Sequence, residues 1–110
     1  MTPWIVAMGA RTPVGLKAET TAAAVRAGIS RLQEHPVFFD AMGEALRCGR
    51  DPLLDPEQLG ADRIAELARS AFNELAAKLG PSVPKGCPLI LVLPEPRPGL
   101  DGDEEAQVIA

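Results

Sequence analysis

The stretch Trp4-Ile5-Val6-Ala7-Met8-Gly9-Ala10-Arg11-Thr12-Pro13-Val14-Gly15 decides how the rest of the chain is read. Ile5 and Val6 are β-branched, Trp4 is aromatic, and no charge interrupts the run before Gly9. A short continuous apolar run of this kind predicts a strand buried on both faces, as in a parallel sheet. Gly9 removes a side chain where another element packs closely, and Pro13 and Gly15 mark a turn. A matching run, Leu89 to Leu93 (L-I-L-V-L), lies between Pro88 and Pro94. Proline is excluded from strand interiors, so both prolines fall at its bounds. The two runs predict parallel strands joined by a right-handed helical crossover.

The crossover helix is the clearest element in between. From Ala61 to Leu79, the residues Ile64, Leu67, Ala68, Ala71, Phe72, Leu75 and Leu79 recur at three- and four-residue steps on one face. Asp62 is placed to cap its start, and Gly80-Pro81 ends it. Glu74 and Lys78 form a favourable four-apart pair. A second, alanine-rich helix is expected over Lys17 to Ala27, with Glu19 and Arg26 placed to suit its dipole and Gly28 as its stop. Between the helices the chain is irregular. Pro36, Pro52 and Pro56 break it, Val37 to Phe39 and Ala45 to Cys48 form a hairpin, and Arg50 to Gln58 is a loop. The class is α/β with an irregular, hairpin-containing insert.

One hundred and ten residues allow one small domain. A hydrophobic fraction of 46% is too high for a disordered chain, yet much of it is alanine, so the core is made of small pieces. The net charge is −4 and no run of Lys or Arg gathers, which argues against nucleic acid and against a polybasic membrane contact. No apolar run approaches the roughly 20 residues of a spanning helix, and no charged segment precedes an apolar one as in a signal peptide. Cys48 and Cys87 fit no metal spacing and read as reduced thiols of a cytoplasmic protein.

No catalytic, cofactor-binding or metal-binding residue set emerges. His35 is the lone histidine and reads as a packing residue. A Cys48 nucleophile with His35 as base requires the hairpin to bring them together. Cys87, in a proline-rich turn, lacks the helix N-terminus that activates a thiol. Gly9 to Gly15 has neither the dinucleotide nor the P-loop glycine spacing. Arg11 reads as a structural salt bridge ahead of an anion site. Asp51, Asp55, Glu57 and Asp62 read as a solvated loop and a helix cap. The Asp101 to Glu105 stretch has the wrong spacing for a calcium loop.

In order and spacing the chain resembles the N-terminal segment of a β-ketoacyl synthase, a thiolase-fold condensing enzyme. The residues that carry this are I-V-A-M-G-A-R-T-P-V-G, the Ala18 to Ser30 helix ending in glycine, the Ala61 to Leu75 helix, and L-I-L-V-L. The resemblance implies a partial thiolase-like domain over residues 1–110, from a parent that condenses acyl thioesters delivered by an acyl carrier protein in fatty acid or polyketide biosynthesis. The family's acyl-accepting cysteine and its histidines would lie beyond Ala110, so this chain is expected to be inactive alone. Asp101 to Ala110 opens like a helix and stops after one or two turns, which fits a fragment. The expected partners are a second copy or the missing C-terminal part. Pro94, Pro96 and Pro98 depart from the family's glycine-rich continuation, and Val37 to Glu57 departs from its insert; both imply a diverged parent. The competing reading is a non-catalytic interaction module that uses open sheet edges and an apolar helix face.

Overall fold

A computed structural model describes residues 1–95. Its elements are helix α1 (Ala18–Arg26), strand β1 (Leu32–Phe39), strand β2 (Ala45–Gly49) and helix α2 (Gly60–Leu79), followed by a single 3-10 turn at Gly80–Ser82. The class is α/β, as the sequence predicts. The expected helix over Asp101 to Ala110 lies outside the described residues.

Both helices form where the sequence places them, and their ends have local causes. The Ile29 N–H donates to the Ala24 carbonyl and the Gly28 N–H to the Val25 carbonyl, closing α1 with Gly28 at φ +70°. That paired closure needs a left-handed residue, which glycine supplies without a Cβ clash. Gly80, at φ +55°, ends α2, and Pro81 cannot continue it. The start of α2 differs from expectation. Leu59 takes the cap position with no side-chain bond, and Asp62 sits inside the first turn. Its charge there still favours the helix dipole.

The sheet corrects the main architectural expectation. It has two strands, β1 and β2, and they are antiparallel. Trp4 to Met8 and Leu89 to Leu93 belong to no strand, and no parallel pairing joins them. The side chains of Trp4, Ile5, Val6, Ile90 and Val92 are 82–88% exposed. An isolated pair of short parallel strands is the least stable way to form a sheet, because parallel sheets require cover on both faces and neighbours at both edges. Among the described residues nothing supplies either.

The hairpin, by contrast, is local. Asp40 closes its turn. Its Oδ1 accepts the N–H groups of Met42 (2.8 Å) and Glu44 (2.9 Å), and Gly43 takes φ +82°. Leu32 pairs with Gly49, Gln33 with Cys48, Glu34 with Arg47, and Phe39 with Ala45. Between the last two pairs, His35 to Phe38 stand opposite Leu46 alone. Pro36 falls inside this bulge, where its missing N–H costs no ladder bond. For that reason β1 runs through Pro36 instead of starting after it.

No helix backbone closely approaches the other helix or the hairpin. Among the described residues the buried apolar ones are Ala24 and Ala61, so little apolar area holds these elements together. Residues 8–15 do that work through polar bonds and close backbone contacts. This is the part of the opening stretch around which the chain is organised; Trp4 to Ala7 stand apart from it.

Candidate functional site

The densest polar region is the junction where residues 8–15 meet α1, α2 and the hairpin. Gly9 lies directly on α2. A Cβ there would fall well inside contact distance of the Ala71 carbonyl oxygen and 3.1 Å from the Leu75 nitrogen. This backbone contact brings Ala10 to Glu74. The Ala10 N–H donates to Glu74 Oε2 (2.9 Å), and the Ala18 N–H donates to both carboxylate oxygens (3.1 Å). Lys78, one turn on, donates to Glu74 Oε1 (2.7 Å), to Glu19 Oε1 (2.6 Å) and to the Met8 carbonyl (2.8 Å). Glu74 therefore satisfies the first N–H of α1 from the side of α2. The Lys78 ammonium, the N–H groups of Ala10 and Ala18, and the Lys78 charge hold its carboxyl down at about 2, against the upward push of burial. Glu19 and then Glu74 raise Lys78.

A second ionic group lies beside it. Arg11 Nε donates to Asp51 Oδ2 (2.5 Å), and its Nη1 reaches Glu66 Oε1 at 3.7 Å. The Asp51 side chain is 2% exposed and that of Arg11 10%. Asp51 Oδ1 also accepts the Leu53 N–H (2.9 Å). Burial pushes the Asp51 carboxyl up. The bonds from Arg11 and Leu53 and the charges of Arg11 and Arg63 outweigh it and keep the group below its usual range. Asp51 was read from the sequence as part of a solvated loop, but its carboxylate is buried and paired. Asp55, Glu57 and Asp62 are exposed, as that reading expects. Arg11 is a structural cation, as the sequence predicts, with its Nε committed to Asp51.

The turn at Thr12 to Gly15 completes the junction. Thr12 and Gly15 exchange backbone bonds (2.9 and 3.2 Å), and the Thr12 and Thr21 hydroxyls meet at 2.9 Å. An open cleft of about 210 Å³ lies beside the turn, lined by Thr12 to Leu16, Arg31, Pro52 and Leu53.

The hairpin places His35 on β1 and Cys48 on β2, with no hydrogen bond between them among the described residues. His35 Nδ1 accepts the N–H groups of Val37 (3.1 Å) and Phe38 (3.0 Å). A neutral imidazole has one acceptor nitrogen, so the proton sits on Nε2 and no lone pair is left to activate a thiol. The ring also packs on Phe38 with centroids 4.4 Å apart. His35 is the cap of the β1 bulge, a packing role that agrees with the reading from sequence. Cys87 is exposed and far along the chain in a turn, with its N–H on the Pro84 carbonyl (3.2 Å). Among the described residues no group of three His, Cys, Asp or Glu side chains is placed to hold a metal ion, and no helix is long and apolar enough to cross a membrane.

The His35 cap is sensitive to acid. A proton on Nδ1 would turn the acceptor into a donor facing two N–H groups. Burial, then the charges of Arg50 and Arg63, lower its pKa from 6.5. As pH falls, the unfolded chain therefore takes up the proton before the folded one does. The stability His35 contributes is complete above about 6.5 and is lost as pH falls through the lower folded value. Amide NMR spectra recorded down this range should show the Val37 and Phe38 signals move first. In His35→Phe that acid response should be missing.

No protein-family model matches the chain. Searches against curated proteins and solved structures likewise find no match.

Proposed function

We propose that the chain is the N-terminal segment of a β-ketoacyl-synthase-like protein, inactive alone, whose parent condenses acyl thioesters. The observation that carries this reading is the pair of apolar runs left outside any sheet. Burying Trp4, Ile5, Val6, Leu89, Ile90 and Val92 would contribute on the order of 10 kcal/mol. That rivals the whole net stability of a small domain, roughly 5–15 kcal/mol. A sequence that carries so much unburied apolar surface in two strand-like runs fits a sheet whose other strands are supplied from outside residues 1–95. The order strand-like run, helix, hairpin, long helix, strand-like run also supports the reading, as does Gly9 where the first run meets α2. Unpaired Cys48 and Cys87 suit a cytoplasmic setting for the same protein.

The exposed Phe38, Phe39 and Phe72 favour the second reading, a non-catalytic interaction module. An assay with acyl thioesters separates the possibilities. The chain alone should show no turnover. The chain joined to the next few hundred residues of its reading frame should condense acyl groups, through a cysteine at a strand-to-helix turn. An extended frame without that cysteine supports a scaffold. Turnover by the chain alone that disappears in Cys48→Ala defeats the proposal.

A further inference from the structure

We propose that the cleft beside the Thr12 to Gly15 turn is a binding site for a small alkyl carboxylate. The carboxylate sits on Arg31, and the alkyl chain lies against Pro13, Val14, Leu16, Pro52 and Leu53. The site does not rest on the condensing-enzyme reading, and its test uses this chain alone.

The cleft is built from three stretches, each fixed by its own contacts. The turn is closed by the paired backbone bonds of Thr12 and Gly15. Pro52 and Leu53 are held through Asp51, whose carboxylate accepts both the Arg11 Nε and the Leu53 N–H. Arg31 directly precedes β1, whose first residue, Leu32, pairs with Gly49. A Cβ on Gly49 would lie 3.2 Å from Pro13 Cγ, so this end of the hairpin sits on the turn and carries Arg31 to the cleft. Walls fixed before a ligand arrives need no ordering when it binds.

The lining then defines the ligand. Arg31 is the charged residue of the cleft, no carboxylate lines it, and among the described residues Arg31 makes no ion pair. A guanidinium meets a carboxylate with two parallel hydrogen bonds, and one cation matches one negative charge. The other polar groups of the lining are spent. Thr12 and Gly15 bond each other, the Thr12 hydroxyl meets that of Thr21 at 2.9 Å, and the Leu53 N–H is on Asp51. An amide or hydroxyl placed among them would lose water and gain no partner. The part of the ligand beyond its carboxylate is therefore hydrocarbon, and a peptide end, with an amide beside its carboxylate, fits less well. Exposed Leu16 and Leu53 give that hydrocarbon apolar surface to cover. The volume is about 210 Å³. A cavity of about 150 Å³ holds a benzene ring, so this one takes a chain of about five or six carbons.

Titration of the full chain with hexanoate, followed by amide NMR at fixed pH and ionic strength, tests the site. The Val14, Leu16 and Leu53 signals should shift and saturate in the low-millimolar range, roughly 1–10 mM for so few ligand atoms. Hexan-1-ol, which has the chain without the charge, should bind about fivefold more weakly, the upper range of an exposed ion pair. Acetate, which has the charge without the chain, should be weaker by about tenfold or more. Arg31→Gln should remove the advantage of hexanoate over hexan-1-ol and leave hexan-1-ol binding unchanged. Leu53→Asp should weaken both. Arg31 and Leu53 are exposed, so circular dichroism of both variants should match the parent chain. Shifts that do not saturate by about 50 mM, well above the expected range, overturn the proposal. So does hexan-1-ol binding as well as hexanoate, an Arg31→Gln chain that still prefers hexanoate, or N-acetyl-leucine, a mimic of an apolar peptide end, binding more tightly than hexanoate.

Discussion

Replacing Asp51 by alanine is expected to destabilise the chain more than any other single change to a side chain. The substitution leaves the Arg11 guanidinium at 10% side-chain exposure without its principal counter-charge. Breaking a buried ion pair by removing one partner costs about 3–5 kcal/mol. Glu66, at 3.7 Å and more exposed, is too distant and too wet to replace it. The Leu53 N–H also loses its acceptor. Among the described residues only Ala24 and Ala61 are buried and apolar, so they form no large core to absorb such a loss. Urea titration followed by far-ultraviolet circular dichroism measures the effect. Asp51→Ala at or below half the parent's midpoint is the expected result, and an unchanged midpoint would show that the pair contributes nothing. Acid should act in the same direction. Asp51 and Glu74 both titrate below their ordinary values of 3.8 and 4.5. Their stabilisation is complete above those values and is lost as pH falls towards about 2, where Glu74 takes its proton.

The second large effect is expected at Gly9. A side chain there meets backbone on both sides, the Ala71 carbonyl and the Leu75 nitrogen, and helix backbone does not rotate aside as a flexible side chain does. The segment must lift off α2, which separates Ala10 from Glu74 and Met8 from Lys78. Overpacking of this kind costs about 1–3 kcal/mol, and the lost hydrogen bonds add to it. Gly9→Val should therefore melt well below the parent chain. Gly86, where a Cβ meets nothing within 4 Å, provides a comparison, although its φ of +80° adds a strain of its own. Equal melting temperatures for Gly9→Val and the parent would mean that the contact with α2 is not made in solution.

The close approach at Gly9 was legible in the sequence, because a glycine at the end of an apolar run has few other uses. Both helices were legible for similar reasons. Spacing along the chain is enough to define the α2 face, and Gly28 and Gly80 announce the ends. The hairpin was partly legible. Val37 to Phe39 and Ala45 to Cys48 were visible, but a proline at position 36 looked like a stop until the bulge gave it a place. The parallel sheet was misread for a different reason. An apolar run states that a segment prefers burial, and it does not state against what. Trp4 to Met8 and Leu89 to Leu93 have that preference, but strand pairing is non-local and needs further strands to cover it. Arg11 was legible as one member of a structural salt bridge, but its partner was not, because Asp51 lies 40 positions away. Nothing near Asp51 distinguishes a buried carboxylate from a solvated one. His35 was legible only as a packing residue, since its two bonds depend on the bulge geometry.

The bonds between residues 8–10 and α2 bear on the order in which the chain takes shape during synthesis. Ala10 meets Glu74 across 64 positions and Met8 meets Lys78 across 70. Contacts so distant in sequence form late. As the chain leaves the ribosome, the Thr12–Thr21 and Arg11–Asp51 contacts can join residues 11–15 to α1 and to the end of the hairpin once Asp51 is out, but α2 is not tied to residues 8–10 until Lys78 has emerged. Until then Gly9 and Ala10 lack their seat on α2 and Trp4 to Met8 hangs from an unanchored end, and that window is when a chaperone would find it most open to capture.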